Sequence, residues 1–419
     1  MSTAAHRPAI GTRLLAGPAS GYEGWRDHDR RLGVRRQGGR WLVEALQQSG
    51  LRGRGGAWFP TWRKWGAVAE RSHGHAVVVV NGSEGEPLSG KDKLLLQTRP
   101  HLVLDGAAFA AESVGAEEVV VYLSRGSSEA AKIVRRALEE RGGARLDEPS
   151  MSVEETAHRY VAGESSAAVS RVSGRPSKPR WSLGRTAEKG VRDQPTLVQN
   201  AETLAHVAMI GRYGPEWFRR LGTAKAPGTT LMTVTGNVRR PGVYEVDLSA
   251  SVGDVLYGVG GSASPPEGAL LGGYFGAWLA PGAFDRVQLG DTALGCGVLA
   301  VLPHGACAIA ESTKILAYLA AETAGQCGPC IHGLAALAEA MQRIATSAPQ
   351  GGDHERVKRW IEMVRGRGAC HHPDGAVGQL ESALGAFESH LRLHLRGIAC
   401  PGLGVSGFPQ PPPPGGGWK

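Results

Sequence analysis

Several things are scarce in this chain of 419 residues, and each scarcity removes a class of protein. Nowhere do about eighteen apolar residues follow one another, so no membrane-spanning helix is expected. The first residues, Met1-Ser2-Thr3-Ala4-Ala5-His6-Arg7, lack the apolar core of a secretion signal, and a cytoplasmic protein is the expectation. The net charge is +8, yet no basic run is interleaved with aromatic residues. Nucleic acid is therefore not the expected partner, and an acidic protein surface or an anionic membrane surface fits the charge better. Only six cysteines are present, two of them in one Cys-x-x-Cys pair, which argues for metal binding and against a disulfide framework.

What the chain does have is apolar residues enough to fold, 42% of the total, and a length that implies two to four domains. Residues 1–38 are Gly- and Arg-rich with little periodicity and read as an extended lead-in, although Trp25 implies some packing. Helical spacing from Trp41 to Leu46 delivers a glycine loop, Leu51-Arg52-Gly53-Arg54-Gly55-Gly56-Ala57-Trp58-Phe59-Pro60-Thr61-Trp62-Arg63-Lys64-Trp65. Close-set glycines leave backbone N–H groups unshielded, as a loop over a phosphate or a flat ring requires, with Arg54 and Lys64 as countercharges; the same pattern also makes a flexible turn. Ala76–Val80 is a β-branched run of buried-strand type, and it opens into the acidic loop Asn81-Gly82-Ser83-Glu84-Gly85-Glu86-Pro87. Helical patterns over 100–114 and 127–141 flank a second buried strand at 118–123, so the expected fold is α/β with a parallel sheet. Ligands of such sheets sit at the carboxyl ends of the strands, where both loops fall.

Further on, Tyr160-Val161-Ala162-Gly163-Glu164 leads into a helix, and Gln194 to Leu204 forms another polar cluster. Two alternating strands joined by Arg240-Pro241-Gly242, then a helix capped by Ser251, form a hairpin-plus-helix unit within 226–308. Residues 311–345 and 354–397 are helical by periodicity and form a bundle. A helix from about Ser312 to Thr323 precedes Cys327-Gly328-Pro329-Cys330, and Cys370 follows forty residues later. The small residues between the paired thiolates let both sulfurs face one metal centre. The tail, 401–419, is rich in proline and glycine and is expected to be disordered.

The motifs L-R-G-R-G-G-A-x-F-P-T-x-x-K-W and N-x-x-E-G-E-P-x-x-x-K-D resemble those of the NADH-binding, FMN-carrying 51 kDa flavoprotein family of complex I, and the likeness continues in order nearly to the end of the chain. The resemblance implies an FMN/NADH-binding α/β domain at 39–222, a ubiquitin-like β-grasp (SLBB) domain at 226–308 and an iron–sulfur helical bundle at 311–397. It implies that Gly53, Arg54, Gly55, Gly56, Phe59, Lys64, Asn81, Glu84, Tyr160, Gly163, Glu164 and Asn200 line the flavin and nucleotide pocket, with Glu84, Glu86 and Lys64 nearest the hydride chemistry. It further implies that Cys327, Cys330 and Cys370 ligate a [4Fe–4S] or [3Fe–4S] cluster. NAD(P)H would then be the donor, and the partners would be a thioredoxin-like [2Fe–2S] subunit and a ferredoxin-like or larger iron–sulfur subunit, with membrane association only peripheral.

Departures from the family's pattern set the open questions. Two family glycines are Trp58 and Trp62 here, Ser83 replaces an aspartate, Ser165 a glutamate and Gln199 an asparagine. Ala67 and Arg185 stand where aromatics flank the adenine. The first cluster ligand is Ala324, which has no lone pair to offer. A foreign ligand, a three-iron cluster, or zinc bound by three cysteines with His371 or His372 are the alternatives. Cys296, Cys307 and Cys400 match no ligand position. A second reading follows, in which the chain is a degenerate paralogue serving as a scaffold subunit.

Overall fold

A computed structural model describes residues 9–18, 21–181, 185–398, 400–405, 407–411, 413 and 417–418. Residues 1–8, and with them the reading of the leaderless N-terminus, lie outside the described residues, as does part of the Pro/Gly run. In chain order the elements are Ile10–Gly11 (β1), Trp25–Leu32 (α1), Arg40–Ser49 (α2), Thr61–Ser72 (α3), Ala76–Asn81 (β2), Lys91–Thr98 (α4), Pro100–Val114 (α5), Ala116–Ser124 (β3), Ser128–Gly143 (α6), Ser150–Thr156 (β4), Ser165–Val172 (α7), Thr196–Asn200 (β5) and Ala201–Arg219 (α8). There follow Thr229–Gly236 (β6), Gly242–Asp247 (β7), Val252–Gly258 (α9), Pro266–Leu271 (β8), Ala277–Leu279 (β9), Val298–Pro303 (β10), Ala308–Ala321 (α10), Ala335–Ala345 (α11), Asp353–Val364 (α12), His372–Ala386 (α13) and Glu388–Leu395 (α14).

The first sheet is wholly parallel, in the order β4-β3-β2-β5. Because β-branched residues occupy both faces of β2, the strand is covered on both sides: Val78 and Val80 face the core under α2, α5 and α8, while Val77 and Val79 pack with Val169 of α7. The chain runs outward from β2 through β3 to β4 and then returns to the other side of β2 as β5. That reversal opens a crevice at the carboxyl ends of β2 and β5, where Asn81 stands in register with Asn200.

The second sheet has the order β1-β7-β6-β10-β8-β9. Alternation gives it two apolar faces. Ala269, Leu271, Leu299 and Val301 point towards α9, which starts with a capping box between Ser251 and Asp254. Leu270, Ala300 and Leu302 point towards the helices of the C-terminal bundle, so β-grasp sheet and bundle share a core.

Three expectations need correction. The lead-in is not merely extended: β1 pairs with β7, and α1 docks His28 on Asp105 at 2.8 Å, a carboxylate that also pairs with Arg141 and Arg212. The helix before the paired cysteines is α10, and it ends at Ala321, so the segment 322–328 crosses the cysteine region as a loop before a wide π-type turn at Pro329–Leu334. The tail packs where it is described. The Phe408 ring stacks on Trp278 at 5.7 Å, and the Trp418 carbonyl accepts from Ser177 N and Oγ while Arg159 lies over its ring at 4.2 Å. Two aromatic anchors outweigh the Pro/Gly composition there.

Candidate functional site

The glycine loop closes on itself: Gly53 N donates to Phe59 O at 2.9 Å and Arg52 bridges Pro60. Closed in this way it lies over the β2/β5 crevice, with Gly55 against Asn200, where an added Cβ would stand 3.1 Å from the asparagine's own. Gly56 has a φ of +103°, which favours glycine, and nothing within 4 Å of where a Cβ would stand, so a side chain does not cover the loop there. Phe59 is 51% exposed on the rim, free to stack on a ring.

Three of the polar residues that the resemblance assigns to the pocket, Glu84, Glu164 and Asn200, do double duty as helix caps. Glu84 accepts from the N–H groups of Asp92 and Lys93 at the start of α4, at 3.3 and 3.2 Å. Glu164 accepts from Ser166 N and Ala167 N at the start of α7, and Asn200 Oδ1 accepts from Thr203 N at the start of α8. Three helix N-termini therefore converge on the crevice, and their caps fix its wall. Asn81 Nδ2 donates to Gly163 O at 2.8 Å, and Gly163 sits so close to Ser83 O that a Cβ would approach it to 2.9 Å.

Arg54 does not serve as a free countercharge. Its guanidinium is buried, donates to Thr229 O at 2.9 Å and lies 3.8 Å from Glu202, which also holds Lys91 at 2.8 Å. Sequence reading missed Glu202, Lys91 and Asp92; the family-like K-D and E-T pairs were the signal that could have found them. Lys64 Nζ donates to Val198 O, and burial pushes its amine down to about 8, with Glu164 opposing the shift.

Both tryptophans turn out of the crevice. Trp58, held at a φ of +50°, packs against the β-grasp core, donates from Nε1 to Gly295 O at 3.1 Å and has Arg54 on its face at 4.3 Å. Trp62 packs against the α/β core, as does Ala67, while Arg185 is exposed. The clash that an indole on the glycine loop would cause is thus avoided by rotation into a neighbouring core. Ser83 Oγ is buried with no partner, a polar atom left over in the position where the resemblance places flavin. The uncovered loop at Gly56, this orphan hydroxyl and the buried amine of Lys64 fit a polar planar ligand.

Glu86 leaves the crevice and points towards the bundle. It accepts from Tyr160 Oη at 3.0 Å and from Tyr274 N at 2.8 Å, and burial pushes its carboxyl up to about 7 against those bonds. Tyr160 begins a short turn, Tyr160–Gly163, whose next residue lines a second cavity. That cavity is walled by Val161, Thr323, Ala324, Gln326, Cys327, Cys330, Ala369, Cys370 and His372. The three cysteines singled out by spacing are thus brought together, and burial, with the neighbouring sulfurs, pushes the Cys330 thiol up to about 12. They do not all come within 4.8 Å of one another. One zinc ion, with Zn–S bonds of about 2.3 Å, holds thiolates roughly 3.8 Å apart, whereas a cluster spreads its ligands over several irons. The spacing favours the cluster over zinc.

The two histidines separate cleanly. His371 is solvent-exposed beside Asp374. His372 is 2% exposed, donates from Nε2 to Leu319 O at 2.8 Å, and leaves Nδ1 buried with no partner. Its ring stays neutral, since burial pushes it down to about 4.

A crevice at a sheet switch point, a β-grasp domain and a cysteine cavity behind one shared turn define an oxidoreductase component that joins a flavin domain to an iron–sulfur region. Residues 46–209 match the Nuo51 FMN-binding domain family, 231–270 the SLBB domain and 310–394 the iron–sulfur binding region of NADH-ubiquinone oxidoreductase-F. The chain is 30% identical over 381 residues to the F component of the NADH-quinone oxidoreductase of Streptomyces coelicolor, covering 86% of this chain and 84% of that protein. It is 28% identical to the HndC component of the NADP-reducing hydrogenase of Solidesulfovibrio fructosivorans, over 86% and 77% of the two chains. Among solved structures, NAD+-reducing [NiFe]-hydrogenase in its H2-reduced state is similar, with a TM-score of 0.80 and 28% identity; the match covers 84% of this chain and 62% of that one. The chain belongs to the family of the NADH-quinone oxidoreductase F components, and it carries that family's FMN-binding, SLBB and iron–sulfur domains.

Proposed function

We propose that this protein oxidises NAD(P)H at the β2/β5 crevice and passes the electrons through the cysteine cavity to a partner subunit. The observation that carries the reading is the turn Tyr160–Gly163. Gly163 braces the Asn81–Ser83 wall of the crevice, Tyr160 holds Glu86, and Val161 lines the cysteine cavity, so one four-residue turn separates the two centres. Gly53, Gly55, Gly56, Lys64, Asn81, Ser83 and Gly163 would hold FMN, which supplies the conversion of a two-electron hydride into single electrons. Lys64, whose Nζ donates to the Val198 carbonyl of β5, would orient a polar edge of the flavin. Glu84, fixed by the α4 N-terminus, would orient polar groups of the nucleotide, and the exposed Phe59 ring would stack on it.

In the bundle Cys327, Cys330 and Cys370 would hold three irons and His372 Nδ1 the fourth, in place of the thiolate absent at Ala324. The Nε2 bond to Leu319 O leaves the lone pair on Nδ1, and such a bond orients an imidazole ligand. The partners are soluble electron-transfer subunits bearing iron–sulfur centres, in a cytoplasmic complex; no helix among the described residues is long and apolar enough to cross a membrane. The test is reduction of ferricyanide by the full chain, with NADH and with NADPH, after incubation with FMN. The reading expects FMN-dependent turnover with at least one donor, and none with either would contradict it.

A further inference from the structure

Outside the cysteine cavity, a second thiol–imidazole group lies where the C-terminal segment meets the bundle. Cys307 Sγ, Cys400 Sγ and His394 Nε2 are all buried and all within 4.8 Å of one another, and among the described residues no other group of three such donors meets that limit. Cys307 caps the N-terminus of α10, with Ala310 N 3.4 Å from its sulfur, and His394 is on the last turn of α14. Cys400 follows the end of the bundle.

The hydrogen bonds fix which nitrogen is free. Ser347 Oγ donates its one proton to Ile398 O at 3.0 Å and therefore accepts from His394 Nδ1–H, also at 3.0 Å. His394 Nε2 then carries the lone pair, and it faces Cys307 Sγ at 3.1 Å. An imidazole oriented through its other nitrogen, aimed at two thiols, is the arrangement of a metal ligand with its supporting partner. Zinc with bonds of about 2.3 Å to sulfur and about 2.0 Å to nitrogen places such donors roughly 3.5–3.8 Å apart, so the Cys307–His394 pair at 3.1 Å needs to open by only a few tenths of an ångström, and the Cys400 sulfur lies within 4.8 Å of both.

We infer that Cys307, His394 and Cys400 form a single-ion zinc site that staples the C-terminal segment to the helical bundle. Binding Zn²⁺ releases one proton from each thiol, so two thiolates and a neutral imidazole leave the site with no net charge, as its apolar surroundings require. Three protein donors leave the fourth tetrahedral position to water. Just beyond Cys400, Phe408 stacks on Trp278 and its N–H donates to Glu311 of α10 at 3.3 Å, so the ion would anchor a segment that already lies in the core.

The experiment is elemental analysis of the full chain, purified anaerobically after growth with added zinc, alongside Cys307→Ser, His394→Gln and Cys327→Ser. About one zinc per chain is expected in the unmodified protein. It should be lost in the first two variants with iron unchanged, and kept in Cys327→Ser, which should lose iron instead. Zinc absent from the unmodified chain, or unaffected by Cys307→Ser and His394→Gln, overturns the inference. Should those variants fail to fold, cobalt exchange into the unmodified chain decides: thiolate-to-cobalt absorption bands support the site. Their absence, or a Cys307–Cys400 disulfide in unreduced peptide maps, overturns it.

Discussion

His372 is tied to Leu319: Nε2 donates to the carbonyl at 2.8 Å, and this bond leaves Nδ1 of the same buried ring without a partner in the wall of the cysteine cavity. If that nitrogen holds the fourth iron, His372→Ala should yield a three-iron cluster while total protein folds normally. Nitrogen hyperfine coupling in the electron-spin spectrum of the reduced cluster should disappear with it. Ala324→Cys should restore a four-iron cluster in the His372→Ala background. A four-iron cluster that survives His372→Ala intact would show that the imidazole is not a ligand.

Trp58 holds a left-handed backbone conformation that costs a non-glycine residue about 1–3 kcal/mol, and its anchors are Gly295 O and the Arg54 guanidinium. With the indole parked against the β-grasp core, the unmodified chain should bind FMN, and Trp58→Gly should change the affinity by less than about tenfold, or 1.4 kcal/mol. Flavin fluorescence quenching measures both. Binding by Trp58→Gly and none by the unmodified chain would mean the crevice is blocked, and the scaffold reading would replace the catalytic one.

Burial raises the Glu86 carboxyl from 4.5 to about 7, so the folded state holds a proton there that the unfolded chain has already released. The sign follows: this contribution to stability is complete below pH 4.5 and fades as pH rises through about 7. Thermal unfolding midpoints should therefore fall less steeply over that range in Glu86→Gln than in the unmodified chain. Parallel curves for the two proteins would contradict the assignment.

The α/β domain was legible because the run Ala76–Val80 and the motif-bearing loops carry strong local signals. The crevice itself was less so. Its position depends on β5, five residues whose pairing beside β2 reverses the strand order, and no local pattern encodes a long-range neighbour. Arg54 was misjudged for the same reason: its partners Thr229 and Glu202 lie far along the chain. Cys327, Cys330 and Cys370 were legible by spacing, but choosing between His371 and His372 required the turn after Cys370, which sends one ring to solvent and the other under Tyr160. The packed tail was hidden because composition says little about two aromatic anchors, Phe408 and Trp418, in an otherwise Pro/Gly segment.

The most direct test of electron passage through the Tyr160–Gly163 turn is to mix the anaerobic, FMN-loaded chain with NADH or NADPH and freeze samples over time for electron-spin resonance. The account predicts that an iron–sulfur signal grows in after flavin bleaching, at a rate lowered by His372→Ala. Flavin that bleaches while the iron–sulfur centre stays oxidised, or no reduction of either by both donors, would contradict it.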